Sequence, residues 1–194
     1  RQGCGRGKRV SAATLQSRID IPDISVAEKS MLELGQDPLF MISCGDKKLD
    51  QMLDDGAYKF VDAVNSYCTS CKSILQSAPL RLSAFNIWEP LEIQKDIWSH
   101  GGSGRNRIAV MERANCIKTS LLMRWDNHPA GAAYIGIYNG IAMVHALEIL
   151  PSHRRKGVGA IAMRHAAFWA RAQNEPCISV ICTKENKAAI ALYT

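Results

Sequence analysis

The chain has 194 residues, of which 47% are hydrophobic, 22% charged and 7% aromatic. This composition excludes a disordered chain, a collagen-like repeat and a small disulfide-stapled domain, and it is typical of a globular protein with a substantial core. Lys and Arg outnumber Asp and Glu by 24 to 18, which gives a formal net charge of +6. So modest an excess favours a polyanionic partner, such as nucleic acid, a phosphorylated cofactor or an anionic membrane surface, without choosing among them.

The cysteine pattern and the apolar stretches indicate a cytoplasmic protein. Seven cysteines are scattered along the chain, an odd number that is typical of reduced thiols. The longest weakly polar stretch, residues 130–144, is broken by Asn139-Gly140 and is shorter than the about 20 residues of a membrane helix, so no membrane contact is expected. The chain begins at Arg1 and ends at Thr194 inside a predicted helix, so we expect one or both natural termini to lie outside it.

Residues 1–76 are predicted to form an N-terminal α/β segment. Residues 1–14 are rich in glycine and basic residues and are predicted to be a basic arm. Helices and strands then alternate, with helices at 27–34 and 49–53 and strands at 39–42 and 58–64. Such alternation is typical of an α/β layer. Residues 68–78, which include Cys68-x-x-Cys71 without a second ligand pair, are polar and are predicted to be a linker.

Residues 77–194 are predicted to form the second domain. Asn139-Gly140 is the strongest hairpin signal in the chain and joins strands at 130–138 and 141–150. Both strands are apolar on both faces, which indicates the middle of a covered sheet. The other predicted strands lie at 80–85, 108–111, 120–125 and 177–182, and the helices at 87–98, 158–173 and from 187 onward.

The segment Leu150-Pro151-Ser152-His153-Arg154-Arg155-Lys156-Gly157-Val158-Gly159-Ala160 lies between a predicted buried strand and a predicted helix. A strand that leads through a glycine turn into a helix presents backbone N–H groups at the positive end of the helix dipole, which suits a phosphate. The three consecutive cations strengthen this interpretation, and the two glycines would let the backbone approach an anion closely. The spacing fits neither a Rossmann nor a Walker loop.

The motif Arg154-x-x-Gly157-x-Gly159, preceded by Ile149-x-Pro151 and followed by Asn186-x-x-Ala189-x-x-Leu192-Tyr193, resembles the acyl-CoA signature of the GNAT acetyltransferase superfamily. The order of elements over residues 79–194 is similar to that superfamily as well. The resemblance implies an α/β fold, the GNAT acyl-CoA N-acyltransferase fold, with a mixed, mostly antiparallel sheet flanked by helices. It implies acetyl-CoA as the acyl donor, an amine-bearing acceptor and no metal.

The resemblance also implies roles for particular residues. The strand ending at Leu150 would diverge from strand 177–182, with pantetheine in the gap beside the backbone of Leu147 and Ile149. Asn186 would contact the cofactor arm, and Tyr193 would be the general acid for the departing thiolate, although a tyrosine that only packs at a helix end stays an alternative. The diphosphate would bind at Arg154, Arg155, Lys156, Gly157, Val158, Gly159 and Ala160.

The general base is less defined, because many relatives have a glutamate where this chain has Met143. On a regular strand His145 would share the face of Met143, Leu147 and Ile149, and Glu148 would point to the opposite face. His145 has an unperturbed pKa of about 6.5, which suits a base, so it is the first candidate and Glu148 the second. A hydrogen-bonded core histidine stays an alternative.

Three functions follow in order of preference. The first is an enzyme that transfers an acetyl group to a primary amine in a ternary complex, and the second is a non-catalytic CoA-binding or regulatory module. Nucleic-acid binding ranks last, since interleaved aromatic residues are lacking; homodimer formation is left open. Residues 46–58 resemble the helix-to-strand close of a GNAT domain, so residues 1–76 are predicted to be a partial, degenerate GNAT-like half, and the closing strands of the second domain are expected beyond Thr194.

Overall fold

The computed structural model describes residues 11–15, 23–80 and 82–194. The described residues fall into two compact units, the first reaching Val61 and the second running from Asp62 to Thr194. The predicted basic arm lies outside the described residues except for its last positions, 11–14.

Within its described residues, 11–15 and 23–61, the first unit contains a short parallel strand pair and two complete helices. The strands are β1 (Ala13–Thr14) and β2 (Phe40–Met41), and the helices are α1 (Ile24–Glu33) and α2 (Lys47–Asp55). Helix α1 begins at Asp23, whose carboxylate accepts hydrogen bonds from the backbone N–H groups of Ser25 and Val26 at 3.0 and 3.3 Å. The helices and the strand predicted between residues 27 and 53 are therefore present.

The second unit contains a six-stranded sheet in the order β3-β8-β7-β6-β5-β4. Only the β7–β8 pair is parallel, so the sheet is mixed and mostly antiparallel, as predicted. Its strands are β3 (Val64–Ser70), β4 (Ala84–Ile87), β5 (Lys118–Trp125), β6 (His128–Tyr138), β7 (Ile141–Ile149) and β8 (Cys177–Thr183). Its helices are α3 (Cys71–Ile74), α4 (Glu92–His100), α5 (Arg105–Arg113), α6 (Val158–Ala172) and α7 (Lys187–Tyr193).

Each face of the sheet carries its own core cluster. On one face α6 packs through buried alanines, Ala162, Ala166 and Ala170, whose small side chains allow the helix to approach the strands closely. These alanines and the buried strand residues they contact, among them Val144 and Val180, are called here the α6 cluster. On the other face α4 and α5 bury large side chains, including the fully enclosed Trp98. A large apolar side chain buried in this way stabilises a fold by about 1.5–3 kcal/mol.

The strand predicted at 108–111 is wrong, because these residues lie in α5. Ile108 and Met111 are both buried and are three positions apart, a spacing that places them on one face of a helix. A run of four residues cannot distinguish the two periods. The ammonium group of Lys118 closes the end of α5 by donating to the carbonyls of Met111 at 3.2 Å, Ala114 at 2.7 Å and Glu112.

The predictions for residues 58–78 also need correction. The strand expected at 58–64 begins instead at Val64, and the expected linker contains the end of β3 and all of α3. Strand β3 pairs antiparallel with β8, from Val64 opposite Thr183 to Ser70 opposite Cys177. Its polar composition reflects an edge strand with exposed positions, which resembles a linker in sequence. The second unit therefore begins before the predicted boundary at residue 77, and a GNAT-like origin of the first 76 residues stays a prediction.

Candidate functional site

Strands β7 and β8 separate part of the way along their length. They pair from Ile141 opposite Cys177 to Val144 opposite Val180. Beyond that point β7 continues to Ile149 alongside β6, and β8 continues to Thr183 alongside β3. The opening between them, called here the β7/β8 gap, is the divergence that the sequence motif implied.

A β-bulge interrupts β7 where the gap begins. Tyr134 of β6 lies opposite His145 and Ala132 lies opposite Glu148, so a single residue between them faces two residues of β7. Ala146, in the bulge, has a φ of +47°, and its carbonyl accepts a 2.8 Å hydrogen bond from the indole nitrogen of Trp98. The buried tryptophan of α4 therefore holds the bulge in place.

The bulge reverses the face on which each following side chain lies. Leu147 and Ile149 pack against the α6 cluster, together with Val144 from before the bulge. The ring of His145 instead lies 5.9 Å from that of Tyr134, in the cluster of α4 and α5. The predicted sharing of a face by His145, Leu147 and Ile149 is wrong, because one extra residue shifts the two-residue alternation of a strand by one.

Glu148 lies on the same side as His145, not on the opposite face as predicted. A Cβ at Gly101, the residue that ends α4, would collide with the Glu148 carboxyl group. Oε1 of Glu148 accepts a 3.1 Å ion-pair hydrogen bond from Nη2 of Arg154, and the glutamate side chain is 25% exposed. Glu148 therefore lies between the glycine-containing turn and the loop that follows α4.

The glycine-containing turn leads from β7 into α6. It comprises a 3₁₀ turn at Pro151–His153, then Arg155 with a φ of +62° and Gly157 with a φ of +83°. Helix α6 begins without a side-chain cap. Its first N–H groups have no partner inside the helix, and these belong to Val158, Gly159 and Ala160. Such a set of donors at a helix N-terminus suits an anion.

Glycine is required at Gly157 and at Gly159 for different structural reasons. Gly157 adopts a left-handed conformation and has no heavy atom within 4 Å of the position a Cβ would take, so its need is conformational. A Cβ at Gly159 would lie 2.9 Å from Cδ2 of Leu192 in α7. Gly159 therefore allows α6 and α7 to pack closely, a reason that the sequence alone did not reveal.

Asn186 and Tyr193 lie at opposite ends of α7. Oδ1 of Asn186 accepts a 3.0 Å hydrogen bond from the backbone N–H of Ala189 and caps the helix. Tyr193 is half-buried against the α6 cluster, and burial, with a smaller contribution from Cys182, raises its pKa to about 12. Its phenol is therefore protonated at neutral pH.

Tyr193 also borders a cavity of about 470 Å³ on the β8 side of α6. Tyr67 of β3 lines the same cavity, and its ring centroid lies 5.8 Å from that of Tyr193. The other lining residues come from β3, α3, α6, β8 and α7 and from Thr194 after it, and include Ile74, Met163, Arg164, Ile178 and Val180.

Two aromatic contacts near the candidate residues were missed in the sequence. Tyr67 directly precedes the predicted polar linker, and its partner Tyr193 lies more than a hundred positions further along the chain. Trp88, whose ring lies 5.9 Å from that of Tyr134, precedes α4 and was assigned to the helix. An aromatic residue in an otherwise polar segment was the available signal for Tyr67.

The described residues contain neither a candidate metal-binding cluster nor a membrane-spanning helix. Among residues 11–15, 23–80 and 82–194 no three His, Cys, Asp or Glu side chains gather where they could hold a metal ion. In the same ranges no helix has the length and hydrophobicity needed to cross a bilayer.

Residues 84–194 match the profile of the Acetyltransferase (GNAT) family. The chain therefore belongs to the GNAT family, and it is an acyltransferase. The sequence motif that resembles this family lies at the end of β7, in the glycine-containing turn and at the start of α6.

Two curated relatives carry names that agree with this membership. The uncharacterized N-acetyltransferase YobR of Bacillus subtilis (strain 168) is 26% identical over 175 residues, which cover 86% of this chain and 71% of that protein. Streptothricin acetyltransferase of Streptomyces lavendulae is 33% identical over 95 residues, which cover 48% of this chain and 50% of that protein.

A solved structure shows the same fold. The GCN5-related N-acetyltransferase from Kribbella flavida superposes with a TM-score of 0.50 and 19% identity, covering 64% of this chain and 49% of that chain.

Proposed function

We propose that this protein transfers an acetyl group from acetyl-CoA to a primary amine, by direct attack of the amine on the thioester in a ternary complex. The observation that carries this proposal is the β7/β8 gap, whose β7 side leads through the glycine-containing turn into the uncapped N-terminus of α6. An elongated thioester with a diphosphate needs both features, the gap for its neutral arm and the helix N-terminus for its charged diphosphate.

The donor side follows from the turn and the gap. The diphosphate binds the first N–H groups of α6, with the exposed Arg155 and Lys156 adding positive charge. The pantetheine arm lies in the gap beside the backbone of Leu147 and Ile149. Asn186 approaches that arm from the start of α7, with its Oδ1 already committed to the helix cap.

The acceptor side lies across β7 from α6, where the bulge brings His145 and Glu148 to one face. An amine arrives as an ammonium ion and must lose a proton before it attacks. Glu148, three-quarters buried beside Gly101, is as well placed for this as His145 beside Tyr134. The loop after α4 contacts Glu148 and is therefore the part of the chain that selects the acceptor.

The reaction forms an N–C bond and breaks the C–S bond of the thioester. The ammonium loses one proton to the base before attack and a second as the amide forms; one of these ends on the sulfur and the other is released. The Tyr193 phenol, with a pKa of about 12, is less acidic than a thiol of pKa about 8.5. Tyr193 therefore stabilises the departing sulfur by donating a hydrogen bond rather than by giving up its proton.

A non-catalytic CoA-binding module is the second candidate function. It is favoured by Met143, which stands where the resemblance to the GNAT superfamily implies a glutamate, and which lies on β7 opposite Gly136 and Ser179. A thioether cannot accept a proton from an ammonium ion, so catalysis depends on the other two candidates.

Titration calorimetry with acetyl-CoA followed by a thiol-release assay across a panel of amines tests the proposal. Saturable heat and release of CoA with at least one primary amine are expected. Saturable heat without release for any amine would favour the non-catalytic module. The absence of saturable heat would contradict the donor site itself.

A further inference from the structure

We infer that Tyr67 is a positioning residue for Tyr193, and that β3 therefore contributes to the acetyl-transfer site. This inference rests on the proposed function, because it concerns the phenol that donates to the departing sulfur. Tyr67 lies outside residues 84–194, the part of the chain that matches the family profile.

The contact between the two rings is direct. Their centroids are 5.8 Å apart and their planes are inclined by 50°. Aromatic pairs at such separations attract one another beyond simple burial. Both tyrosines also pack against the α6 cluster, so their side chains lie on one side of the sheet.

The Tyr67 ring is itself held from within β3. Nδ2 of Asn65 donates a hydrogen bond of 3.2 Å to the hydroxyl of Tyr67. The two residues are separated by one position along a strand, so their side chains leave the same face of β3. Pairing of β3 with β8 fixes the backbone beneath them, with Tyr67 opposite Val180 and Asn65 opposite Cys182.

Tyr193 needs such a contact because it borders the cavity of about 470 Å³. A side chain in a close-packed interior is confined by its neighbours on every side, whereas a ring beside a cavity can change its torsion angles without steric cost. Tyr67 is the aromatic partner that limits this movement. A displacement of the phenol of the order of 1 Å is enough to weaken a transition-state contact severely.

Through β3, residues that precede the matched family region would affect catalysis. The strand reaches β8 from outside the matched region, and its seven residues pair with the whole of β8. Strand β8 in turn borders the β7/β8 gap and is followed by α7. The edge strand thus fixes both the strand next to the gap and the tyrosine at the end of α7.

The test is a double-mutant cycle with an amine that the wild-type protein acetylates. The variants are Tyr67→Leu, Tyr193→Phe and their combination, with Tyr138→Leu as a matched control on an exposed tyrosine of β6. Tyr67→Leu is expected to lower kcat by about tenfold, because the phenol is no longer aligned, while the KM and Kd for acetyl-CoA change by less than about twofold. In the Tyr193→Phe background the same change is expected to cost nothing further.

Conservative variants separate positioning from stability. Tyr67→Phe keeps the ring contact and Asn65→Ala removes only the hydrogen bond, so each is expected to lower kcat by about twofold to threefold. Thermal unfolding identifies a variant that fails to fold. If Tyr67→Leu does not fold, the cycle is run with Asn65→Ala, whose loss must again vanish in the Tyr193→Phe background.

Three outcomes would overturn the inference. They are a wild-type kcat in Tyr67→Leu, an equal loss in both backgrounds, and a Kd for acetyl-CoA that rises in step with the loss of kcat. Each of these leaves an active wild-type enzyme and therefore leaves the proposed function intact. A wild-type protein that releases no CoA with any amine would instead contradict the proposed function, and this inference with it.

Discussion

Nη2 of Arg154 lies 3.1 Å from Oε1 of Glu148, and Nε of the same arginine donates a 3.1 Å hydrogen bond to the carbonyl of Ile149. The first cation of the turn is thus directed back onto β7. Because the arginine side chain is 58% exposed, solvent screens this pair and its contribution to stability is small. Its charge is nevertheless matched by Glu148, so in the proposed donor site we expect Arg155 and Lys156 to be the cations that contact the diphosphate.

Charge reversal in the turn should therefore depend on position. We expect Arg155→Glu combined with Lys156→Glu to weaken acetyl-CoA binding by about tenfold or more, since a charge-assisted contact with phosphate is worth about 1.5–3 kcal/mol. Arg154→Gln should weaken binding less than Arg155→Gln or Lys156→Gln, which remove the same single charge. Titration calorimetry at low and high salt measures both effects, and the difference between variants should shrink at high salt.

The control for this prediction is Arg171→Glu, an exposed change in the last turn of α6. It alters net charge by the same amount per residue but lies at the opposite end of the helix from the turn. Equal weakening by Arg171→Glu would show that the effect is one of overall charge. A larger effect at Arg154 than at the other two cations would contradict the assignment made from its ion pair.

Gly159 offers a test of how α6 and α7 pack. The side chain in Gly159→Val would have to enter the space of Leu192, so we expect the free energy of unfolding to fall by about 1–3 kcal/mol. In a Leu192→Ala background the same change should cost clearly less, because the colliding methyl groups are gone. Urea denaturation of the four proteins measures the coupling, and additive losses would show that the contact does not limit this position.

Much of the fold was predictable because its signals are local. The Asn139-Gly140 turn fixed the hairpin of β6 and β7, and Gly157 with Pro176 bracketed α6. Strand β3 was not predictable, since its exposed positions made a polar strand resemble a linker. The prediction for α5 was wrong for another reason, because its two buried residues fit both the helical and the strand periodicity.

Because the bulge at Ala146 brings Glu148 to the side of His145, the general base is tested by replacing each of the two residues. Glu148→Gln is expected to lower kcat/KM by about 10²-fold or more if the carboxylate takes the ammonium proton. Activity should then recover at alkaline pH, where an amine of pKa about 10.4 loses its proton unaided. The pH dependence of kcat/KM, measured against one amine, gives the comparison.

His145→Gln is the matched variant for Glu148→Gln, since it removes the other candidate from the same face of β7. A loss confined to His145→Gln, with alkaline recovery, would assign the base to the histidine. Losses in neither variant would exclude both side chains as the base. Calorimetry with acetyl-CoA on both proteins checks that the donor still binds.

The candidate site was predictable only as far as the sequence motif extends. The residues from Arg154 to Ala160, with Asn186 and Tyr193, belong to a sequence motif that is recognised without knowledge of packing. The face on which Glu148 lies depends on a one-residue bulge, and Tyr67 meets Tyr193 through the pairing of β3 with β8. Both depend on tertiary pairing, which alternation within a single strand cannot report.

His165 of α6 should make the stability of the second unit depend on pH. Its Nε2 forms a 2.8 Å hydrogen bond with the hydroxyl of Ser83, which itself donates to the carbonyl of Leu80. The residue is 6% exposed, and burial lowers its pKa from the ordinary value of 6.5. The folded state therefore binds this proton less readily than the unfolded state, so the stabilisation is complete above about pH 6.5 and is lost as the pH falls below it.

Urea denaturation at about pH 7.5, 6.5 and 5.5, a series that spans the ordinary histidine pKa of about 6.5, measures this dependence. The free energy of unfolding of the wild type should decline toward pH 5.5 with a slope of at most about 1.4 kcal/mol per pH unit from this one group. His165→Gln removes the titrating ring and should flatten that decline, although it lowers stability at neutral pH by loss of packing. His128→Gln, at an exposed position at the start of β6, should keep the wild-type slope. Parallel declines in the wild type and in His165→Gln would show that other groups dominate acid destabilisation.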